Sequence, residues 1–371
     1  MKILEIMPDF NLAGAEIMVE NLCYELSKRH EIVVVSMYHC ETAITERLIN
    51  NGINLVFLDK KNGFDWSATQ KLKKVILDFR PDIIHTHRYM LMYAVLAGGL
   101  NKERKIFHTV HNVAEREVPS KLQYFQKFLF RSGKAIPVAI SPRVRKSIEK
   151  RYGMNTNEIP MIYNGIDVKR FSPKIDYTQH DVFTCLHIGR FSEQKNHVEM
   201  ILALKKLVDA GEKVRFIFVG EGDLFSDIKM QVDEQHLTDY VIFAGTTADV
   251  RPWFDRSDAF MLPSRWEGMP MTLIEAMSAA MPIIAANVGG IPDMLENEKS
   301  ALLIEPNADE IERAVIRLKD NTQFREQIGQ TAFRESQNFT AEHMGKEYQE
   351  LFSQEYTTTK EKVKYDAIEQ L

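Results

Sequence analysis

A pair of glutamates framing a short loop is the densest group of candidate functional residues in the sequence. Glu267 and Glu275, separated by seven residues, enclose Gly268, Pro270 and the start of an apolar helical pattern at Met271. A helix N-terminus offers free backbone N–H groups and the positive end of the helix dipole, so it suits a phosphate. Glu275, one turn into this helix, could accept hydrogen bonds from a ribose diol, and Glu267 could reach sugar hydroxyls. The alternative is ordinary solvent exposure, which fits Glu275 poorly because its sequence neighbours are apolar.

Two cations form a second candidate group, on the loop that follows an apolar strand. In the stretch LHIGRFSEQKN, Gly189 ends the strand at a tight turn, and Arg190 and Lys195 follow before a helix that begins near His197. Two cations near the carboxyl end of a strand could grip a diphosphate. They could equally be surface charges.

The loop NLAGAE (Asn11–Glu16), between the first strand and the first helix, is a third candidate. Its small residues, Gly14 among them, could cradle a phosphate or a sugar where the helix begins. A full GxGxxG sequence is missing, so a plain tight turn explains the loop equally well.

Histidines at strand ends are the fourth group. His111 lies at the end of the stretch HTVHN, and His85 and His87 close another predicted strand. Several histidines in one domain suggest a metal, but no cysteine or carboxylate cluster accompanies them in the sequence, so no metal site is expected. We interpret His111 as a polar contact for a ligand, and a structural role stays open for His85 and His87.

Motifs of several other chemistries are missing. The sequence holds no GxSxG, GxxxxGK[ST] or HExxH motif, and no DxD of the kind that commonly holds a metal-bound diphosphate. If a diphosphate binds, Arg190, Lys195 and backbone amides must offset its charge.

These residues need a scaffold, and the hydrophobic periodicity predicts an α/β one. Short apolar runs alternate with helical patterns, which implies parallel sheets with helices on both faces. The predicted strands are Lys2–Met7, Glu31–Met37, Ile53–Leu58, Asp82–His87, Lys105–Val110, Ala135–Ile140, Val182–His187, Arg215–Val219, Val241–Ala244, Ala259–Leu262, Ile283–Ala286 and Leu302–Ile304. The predicted helices are Ala15–His30, Trp66–Phe79, one ending near Leu100, Lys121–Arg131, Val198–Ala210, Leu224–Gln235, Met271–Ala280, one ending near Leu318, Phe324–Asn338 and Glu342–Phe352.

The alternation breaks once, which divides the chain. The stretch YNGIDVKRFSP (Tyr163–Pro173) carries the Asn-Gly and Ser-Pro turn signals of a connection. The sequence therefore predicts two doubly wound, Rossmann-like domains, 1–165 and 166–338, facing each other across a cleft. In such folds ligands bind at the carboxyl ends of the strands. The polar tail from Thr357 is expected to fray.

Composition is that of a globular protein. Of the 371 residues, 44% are hydrophobic and 27% are charged. The three cysteines lie far apart without a CxxC pair, which favours a reducing compartment over disulfides or zinc. The start MKILEIMPDF has no signal-peptide pattern, and no apolar run is long enough for a membrane span. We therefore expect a cytoplasmic protein.

Charge is distributed unevenly between the two halves. Residues 1–170 carry 26 lysines and arginines against 18 acids, a net charge of +8, and the remainder carries -13. A basic half attracts anionic partners. A nucleic-acid partner is not expected, because no single element carries a basic stripe interleaved with aromatic residues.

Taken together, the motifs resemble those of glycosyltransferase family 4, which has the GT-B fold, over nearly the whole chain. The matching segments are NLAGAE, HTVHN, the NGID hinge, GRFSEQKN, EGMPMTLIE and the final NFTAEHMGKEYQELF. The last resembles the family's closing helix, which crosses back to the first domain, so 339–371 is expected to form that helix and a tail. One departure is Ala13, where the family often has a second glycine before Gly14. A methionine also follows Gly268, where the family often has an aromatic residue or leucine.

The resemblance implies roles for these residues. Arg190 and Lys195 would grip the diphosphate of a sugar nucleotide, Glu275 would bind the ribose, and Glu267 would face the transferred sugar. His111 would approach that sugar from the first domain. The remaining donor-binding positions implied are Gly14, Gly189, Gly268, Met269, Pro270, Met271, Thr272 and Leu273. The family retains anomeric configuration and usually needs no metal.

The function expected from this resemblance is hexosyl or N-acetylhexosaminyl transfer from a nucleotide-diphosphate sugar, with UDP the commonest base in the family. The acceptor would be a hydroxyl of a glycan or a lipid-linked glycan, in cell-surface polysaccharide synthesis. The alternatives are a sugar-nucleotide epimerase of the same architecture and a non-catalytic sugar-nucleotide or glycan-binding relative.

A membrane is a further expected partner. The helix in KLQYFQKFLFRSGK mixes Tyr124, Phe125, Phe128 and Leu129 with basic residues, so it could lie on an anionic membrane surface. The alternative is an ordinary helix that packs its aromatic residues on the sheet.

Overall fold

Two parallel β-sheets of six strands each organise the chain. The computed structural model describes residues 1–11, 14–101, 104–178 and 180–368, with side-chain surroundings as far as residue 357. The chain divides into unit 1, formed by Met1–Ile166 together with Thr340–Leu371, and unit 2, formed by Asp167–Phe339. Unit 1 is therefore built from two separate stretches of sequence.

Strands and helices alternate through the first stretch of unit 1. The strands are β1 (Lys2–Met7), β2 (Glu31–Ser36), β3 (Asn54–Phe57), β4 (Ile83–His87), β5 (Lys105–Val110) and β6 (Ile136–Ala139). The helices are α1 (Gly14–Ser27), α2 (Ala43–Asn50), α3 (Trp66–Phe79), α4 (Met90–Leu96), α5 (Ala114–Glu117), α6 (Ser120–Arg131) and α7 (Pro142–Tyr152).

Unit 2 repeats the alternation, and the chain then returns to unit 1. Its strands are β7 (Phe183–Ile188), β8 (Val214–Val219), β9 (Val241–Gly245), β10 (Ala259–Leu262), β11 (Ile283–Ala286) and β12 (Leu302–Ile304). Its helices are α8 (His197–Asp209), α9 (Phe225–Glu234), α10 (Arg251–Asp255), α11 (Met271–Ser278), α12 (Ala308–Asp320) and α13 (Thr322–Ser336), and α14 (Ala341–Ile368) follows in unit 1.

Local sequence explains where several helices begin. Asp65 accepts hydrogen bonds from the backbone N–H groups of Ser67 and Ala68, which caps α3. Ser141 caps α7 in the same way, and Pro142 occupies its first turn, where no N–H is needed. Most strand positions are apolar because a parallel sheet is covered on both faces. In β2, for example, every residue after Glu31 is buried.

Both sheets have the same topology. The strand order is β3-β2-β1-β4-β5-β6 in unit 1, and β9-β8-β7-β10-β11-β12 in unit 2. Each order reverses direction between two central neighbours, β1 and β4 in one unit and β7 and β10 in the other. In doubly wound sheets, ligands bind at the carboxyl ends of the strands beside this switch point.

Helix α14 completes the core of unit 1. It packs against α1, and its Tyr348 and Phe352 are fully buried. The rings of Phe352 and Phe107 lie 4.7 Å apart. The helix continues to Ile368, past its predicted end at Phe352.

Most predicted elements are confirmed, and the misses are short or polar helices. Helices α2, α5, α7 and α10 were not predicted. In α7, charged residues mask an apolar stripe formed by Val144, Ile148 and Tyr152, which the fold buries. Among the described residues, no helix is both long enough and apolar enough to cross a membrane.

Candidate functional site

An ion pair at the switch point of unit 2 joins the two candidate loops. Lys195 Nζ donates to Glu267 Oε1 at 2.7 Å, and the two side chains are 15% and 5% exposed. Lys195 follows β7 and Glu267 follows β10, and these strands are neighbours in the sheet. The sequence did not predict this pairing, because the two residues lie 72 positions apart.

Further hydrogen bonds connect the same two loops. Gln194 Nε2 donates to the Trp266 carbonyl and to Glu267 Oε2, at 3.0 and 3.2 Å. Asn196, buried and in a left-handed conformation, donates to the carbonyls of Pro263 and Pro306. Each amide satisfies backbone groups left free at strand ends. The position of Lys195 is therefore set by contacts on both sides of it.

Two glycines let the backbone approach these side chains. A Cβ on Gly189 would lie 2.9 Å from His187 Nε2 and 3.2 Å from Lys195 Cε. A Cβ on Gly289 would lie 1.9 Å from the Glu267 carbonyl oxygen, and Gly289 also has φ of +64°. Next to it, Gly290 N–H donates to the Gly268 carbonyl at 3.0 Å. Gly289 and Gly290 were missed from the sequence, although the Gly-Gly pair after a predicted strand was a signal of a close backbone approach.

Glu275 lies in the second turn of α11 and is 9% exposed. Burial raises its pKa to about 7, against the lowering effect of the Arg170 charge. Within the described part of the chain, no group donates a hydrogen bond to this carboxylate. A buried carboxylate without donors is costly, so its position favours a ligand that supplies them.

Gly268, Met269 and Pro270, which lead into α11, are buried, and Thr272 in its first turn is half-buried. Pro270 caps the helix without a side-chain hydrogen bond, so the first N–H groups of α11 are not capped by a side chain. Met269, Met271 and Leu273 are at most 5% exposed. This geometry agrees with an anion-binding helix start and leaves the Met269 side chain inside the fold.

Arg190 differs from Lys195 in its surroundings. Its guanidinium is 69% exposed and lies 3.3 Å from the carboxylate of Asp223, which is 84% exposed. Such an exposed pair contributes little to stability, so Arg190 is free to change partner when an anion arrives.

The histidines at the switch point of unit 1 form a buried hydrogen-bonded network around Glu5, which we call the Glu5 network. His85 Nδ1 lies 2.9 Å and His87 Nε2 lies 3.1 Å from Glu5 Oε2, and all three residues are fully buried. His87 Nδ1 lies 2.9 Å from His111 Nε2. On the other side, His85 Nε2 lies 2.7 Å from Thr109 Oγ1, which in turn lies 2.7 Å from the Tyr348 hydroxyl.

Glu5 corrects the sequence interpretation of these histidines. No carboxylate was expected beside His85 and His87, yet Glu5 lies between them, close enough for the three to hold a metal ion. The sequence did not reveal it because Glu5 lies 80 residues away, in an apolar strand. Their polar atoms are already matched to one another, so the structural role left open for His85 and His87 is the one the geometry supports.

The first helix of unit 1 begins at Gly14, as the third candidate group requires. Leu12 and Ala13, which belong to the same loop, lie outside the described residues. Glu16 is fully buried 3.0 Å from Arg88, a residue with positive φ at the end of β4. Burial raises the pKa of Glu16 to about 7 despite this arginine.

The structure thus brings the predicted residues together in two groups. In unit 2, Gly189, Lys195, Glu267 and the start of α11 gather at one switch point, and Arg190 flanks it. In unit 1, His111 lies at the other switch point, with the Glu5 network behind it.

Two Rossmann-like units of the same topology define the GT-B fold of glycosyltransferases, and comparison with known proteins agrees. The model of the family described as glycosyl transferases group 1 matches residues 169–335, and that of glycosyltransferase family 4 matches residues 12–170. The chain belongs to glycosyltransferase family 4 and is a glycosyltransferase.

Individual relatives support the same assignment. The chain is 26% identical over 277 residues to UDP-Gal:alpha-D-GlcNAc-diphosphoundecaprenol alpha-1,3-galactosyltransferase of Escherichia coli, covering 69% of this chain and 71% of that protein. It is 28% identical to an amylovoran biosynthesis glycosyltransferase of Erwinia amylovora, covering 45% and 43% of the two chains. The crystal structure of Anabaena HepE with UDP and glucose superposes with a TM-score of 0.84 at 19% identity, covering 95% of this chain and 99% of that one.

Proposed function

We propose that the protein transfers a hexose or N-acetylhexosamine, with retention of configuration, from a UDP-sugar to a hydroxyl of a glycan or lipid-linked acceptor in cell-surface polysaccharide synthesis. The names of the relatives support this proposal. The Escherichia coli relative is named for UDP-galactose and a diphosphoundecaprenol acceptor, and the Anabaena structure holds UDP and glucose. The Escherichia coli and Erwinia amylovora relatives are named as transferases, which favours transfer over epimerisation and over a non-catalytic role.

The observation that carries the proposal is the joining of Lys195 to Glu267 at the switch point of unit 2. A cation and a carboxylate held together there match the diphosphate and the adjoining sugar of a sugar nucleotide. Lys195 and Arg190 would bind the diphosphate, and the uncapped start of α11 would add N–H donors. Glu267 would accept hydrogen bonds from sugar hydroxyls, and Glu275 from the ribose.

The same arrangement supports a mechanism. As the bond between sugar and diphosphate breaks, negative charge grows on the diphosphate, and cations already in place stabilise it more than the ground state. The acceptor hydroxyl attacks from the face that the diphosphate leaves, and a phosphate oxygen takes its proton. Configuration is then retained without the paired catalytic carboxylates of a retaining glycoside hydrolase. His111 offers the substrate a further polar contact.

We propose that this chemistry needs no metal ion. The two cations, Arg190 and Lys195, and the N–H groups of Met271 and Thr272 supply the positive charge and donors that a metal would otherwise provide. Activity that survives extensive dialysis against EDTA is the expected result, and restoration of lost activity by Mg²⁺ or Mn²⁺ would contradict it.

A thermal-shift screen tests the donor site. The purified protein is heated with UDP, GDP or ADP, without added metal, because a ligand that binds only the folded state raises the melting temperature. We expect UDP to give the largest shift, and Glu275→Gln to abolish it. Glu298→Gln, which changes an exposed glutamate paired with Arg317, is the matched control and should keep the shift. A well-folded protein that shifts with no nucleotide would contradict the proposal.

We also propose that α6 contacts an anionic membrane, where a lipid-linked acceptor would lie. Tyr124 and Phe128, one turn apart, are 74% and 59% exposed, and Lys134 Nζ lies 5.0 Å above the Phe128 ring. The alternative is correct for part of the helix, since Leu129 is buried and Phe125 is half-buried. Aromatic side chains beside lysines suit the membrane interface.

Flotation with liposomes tests the membrane contact. The protein should float with vesicles that contain anionic lipid, and Tyr124→Glu with Phe128→Glu should abolish this. Leu77→Glu changes an equally exposed apolar residue on α3 and is the control. Flotation that the double variant leaves unchanged would contradict the proposal.

A further inference from the structure

His111 is linked to a fully buried carboxylate through one other histidine. The link runs from Glu5 Oε2 to His87 Nε2 at 3.1 Å, and from His87 Nδ1 to His111 Nε2 at 2.9 Å. Glu5 and His87 have no exposed surface, and His111 is half-buried at the end of the chain of contacts. Among the described residues, none hydrogen-bonds to His111 Nδ1.

The chemistry of the three groups fixes the direction of both hydrogen bonds. A carboxylate can only accept, so His87 Nε2 must carry the proton that faces Glu5. A neutral imidazole has one N–H, which leaves His87 Nδ1 as an acceptor. His111 must then donate from Nε2, and its Nδ1 keeps the lone pair. Burial, together with neighbouring positive groups, holds the pKa of both His87 and His111 well below the ordinary value, so one proton per ring is the expected state.

The groups that face His111 from other elements agree with this state. Arg88, directly after β4, carries a positive charge that disfavours a second one on the ring. Glu117 in α5 accepts from the backbone N–H of Asn112 at 2.9 Å. Its carboxylate is therefore engaged with the backbone beside the ring.

The second arm of the Glu5 network, which runs through His85, supports the same arrangement of protons. If His85 also donates to Glu5 from Nδ1, its Nε2 accepts from the Thr109 hydroxyl, and Thr109 accepts from Tyr348. Every donor in both arms is then directed toward one buried carboxylate. Such a network has a single self-consistent arrangement of protons, which is what gives a side chain at its end a fixed tautomer.

We propose that Glu5 and His87 are positioning residues that hold His111 as the Nε2–H tautomer, so that His111 Nδ1 presents a hydrogen-bond acceptor to a substrate hydroxyl. The tautomer is inferred from the contacts of His87 with Glu5 and His111, and the contact with substrate rests on the proposed function. His111 is thereby an acceptor, ready to orient a sugar hydroxyl or to take its proton, and not a donor. The three groups could also surround a metal ion, but metal ligation by His87 Nε2 would remove the proton that faces Glu5.

The nitrogen chemical shifts of His111 test the tautomer directly. Protein labelled with ¹⁵N-histidine is examined by long-range ¹H–¹⁵N correlation, and the His111 signals are assigned by their loss in His111→Gln. We expect Nε2 at the shift of a protonated nitrogen and Nδ1 at the shift of a bare one. A His111 ring protonated at Nδ1 in the native protein would overturn the proposal, whether or not the protein binds UDP.

Two substitutions at position 87 separate positioning from general structure. In His87→Asn the amide oxygen takes the place of Nδ1 and still accepts from His111, whereas His87→Leu offers no acceptor. We expect the Asn variant to keep the single tautomer and the Leu variant to lose it. If the Leu variant does not fold, the native protein and the Asn variant decide the question. The native tautomer persisting in a folded His87→Leu would overturn the proposal.

A control on the opposite face of the sheet completes the test. His108 belongs to a separate buried network, in which Tyr152 donates to Gln126 at 2.6 Å and Gln126 lies 3.2 Å from His108. Tyr152→Phe removes a buried hydroxyl without touching the Glu5 network, so the His111 shifts should not change. With a donor identified by the thermal-shift screen, kcat should fall about tenfold or more in His87→Leu with KM much less affected, and Tyr152→Phe should match the native enzyme. Loss of kcat equal in both variants would overturn a specific role for His87.

Discussion

The two sheets share one topology but equip their switch points in opposite ways. In unit 1 the strand ends carry histidines that are hydrogen-bonded to one another around the buried Glu5. In unit 2 the strand ends carry charges, the Lys195–Glu267 pair and the exposed Arg190. The first arrangement fixes the direction of hydrogen bonds, and the second places charged side chains at the ends of the strands.

This difference follows from where each group lies along the chain. Glu5, His85 and His87 are on the strands themselves, so the sheet buries them completely. Lys195 and Glu267 are on the loops beyond the strands, and their side chains keep 15% and 5% of their surface exposed. A doubly wound sheet can therefore hold rigid polar groups in its strands and exchangeable charges in its loops.

Removing the charge of Lys195 should give the largest effect. We expect Lys195→Ala to lower kcat by roughly 100-fold to 1,000-fold, since one stabilising donor is lost from the transition state. It should also lower the free energy of unfolding by about 3 kcal/mol, because Glu267 remains buried without its cation. Steady-state kinetics and denaturant unfolding measure the two effects.

A double variant separates the two roles of this lysine. Lys195→Met with Glu267→Gln removes both charges and should recover most of the stability but none of the turnover. Lys205→Ala, on the exposed face of α8, is the control. Near-native turnover in Lys195→Ala would show that the ion pair of unit 2 has no part in the mechanism. The proposed difference between the two switch points would then be wrong.

The second largest effect is expected from filling the space beside the Glu267 backbone. Gly289→Ala places a methyl group 1.9 Å from the Glu267 carbonyl oxygen at φ of +64°, so the loop must move. We expect a loss of about 2–4 kcal/mol in stability and a weaker thermal shift with nucleotide. Gly245→Ala has a similar φ of +68° with no atom within 4 Å, so it isolates the backbone strain and should cost about 1 kcal/mol. Equal losses in the two variants would show that the contact with Glu267 is unimportant.

One buried glutamate in each unit, Glu16 in unit 1 and Glu275 in unit 2, should give the same dependence of stability on pH. Burial raises the pKa of Glu275 and of Glu16 to about 7, from 4.5 in the unfolded chain. The folded state thus holds its proton more tightly, so ionisation costs stability progressively from pH 4.5 to about 7 and by a constant amount above. Glu275→Gln and Glu16→Gln should each gain stability over the native protein as pH rises through this window, by up to about 3 kcal/mol at pH 8.

Thermal melts at pH 4.5 and pH 8 check this expectation. Only Glu275→Gln should also weaken nucleotide binding, which would show that the buried acid of unit 2 is kept for a ligand at the expense of stability. A difference from the native protein that does not change with pH would mean that these carboxylates are not held protonated by burial.

The smallest effect on stability is expected at Arg190. Its exposed pair with Asp223 contributes little, so Arg190→Ala should change the free energy of unfolding by less than about 0.5 kcal/mol. It should lower kcat/KM for the donor by roughly tenfold, the value of one charge-assisted hydrogen bond. Arg313→Ala, an exposed arginine on α12, is the control. Unchanged kinetics in Arg190→Ala would leave Lys195 as the cation of the site.

Local pattern predicted the fold well because parallel strands and covering helices have distinct periods. β1, β5, β10, β11 and β12 begin and end where the apolar runs do. α7 was missed because its three apolar positions are outnumbered by charged residues, and only tertiary packing shows which face is buried.

The candidate site was predicted less completely, for a reason of distance along the chain. The residues of each loop were found from local sequence, but their pairing depends on which strands become neighbours. Glu267 was expected to contact sugar, and its bond to Lys195 appears only once β7 and β10 lie side by side. Glu5 was hidden because a single acid in an apolar strand carries no local signal of the histidines beside it.

Helix α14 gives the chain an order of assembly. Its Tyr348 hydroxyl meets Thr109 across 239 residues of sequence, and its Phe352 covers Phe107. A ribosome that synthesises the chain from its N-terminus must complete all of unit 2 before this cover for unit 1 emerges. Unit 2 can therefore complete its folding first, although its synthesis starts later. A nascent chain stalled at Phe339 would present the sheet of unit 1, with His85 uncovered, to chaperones and proteases.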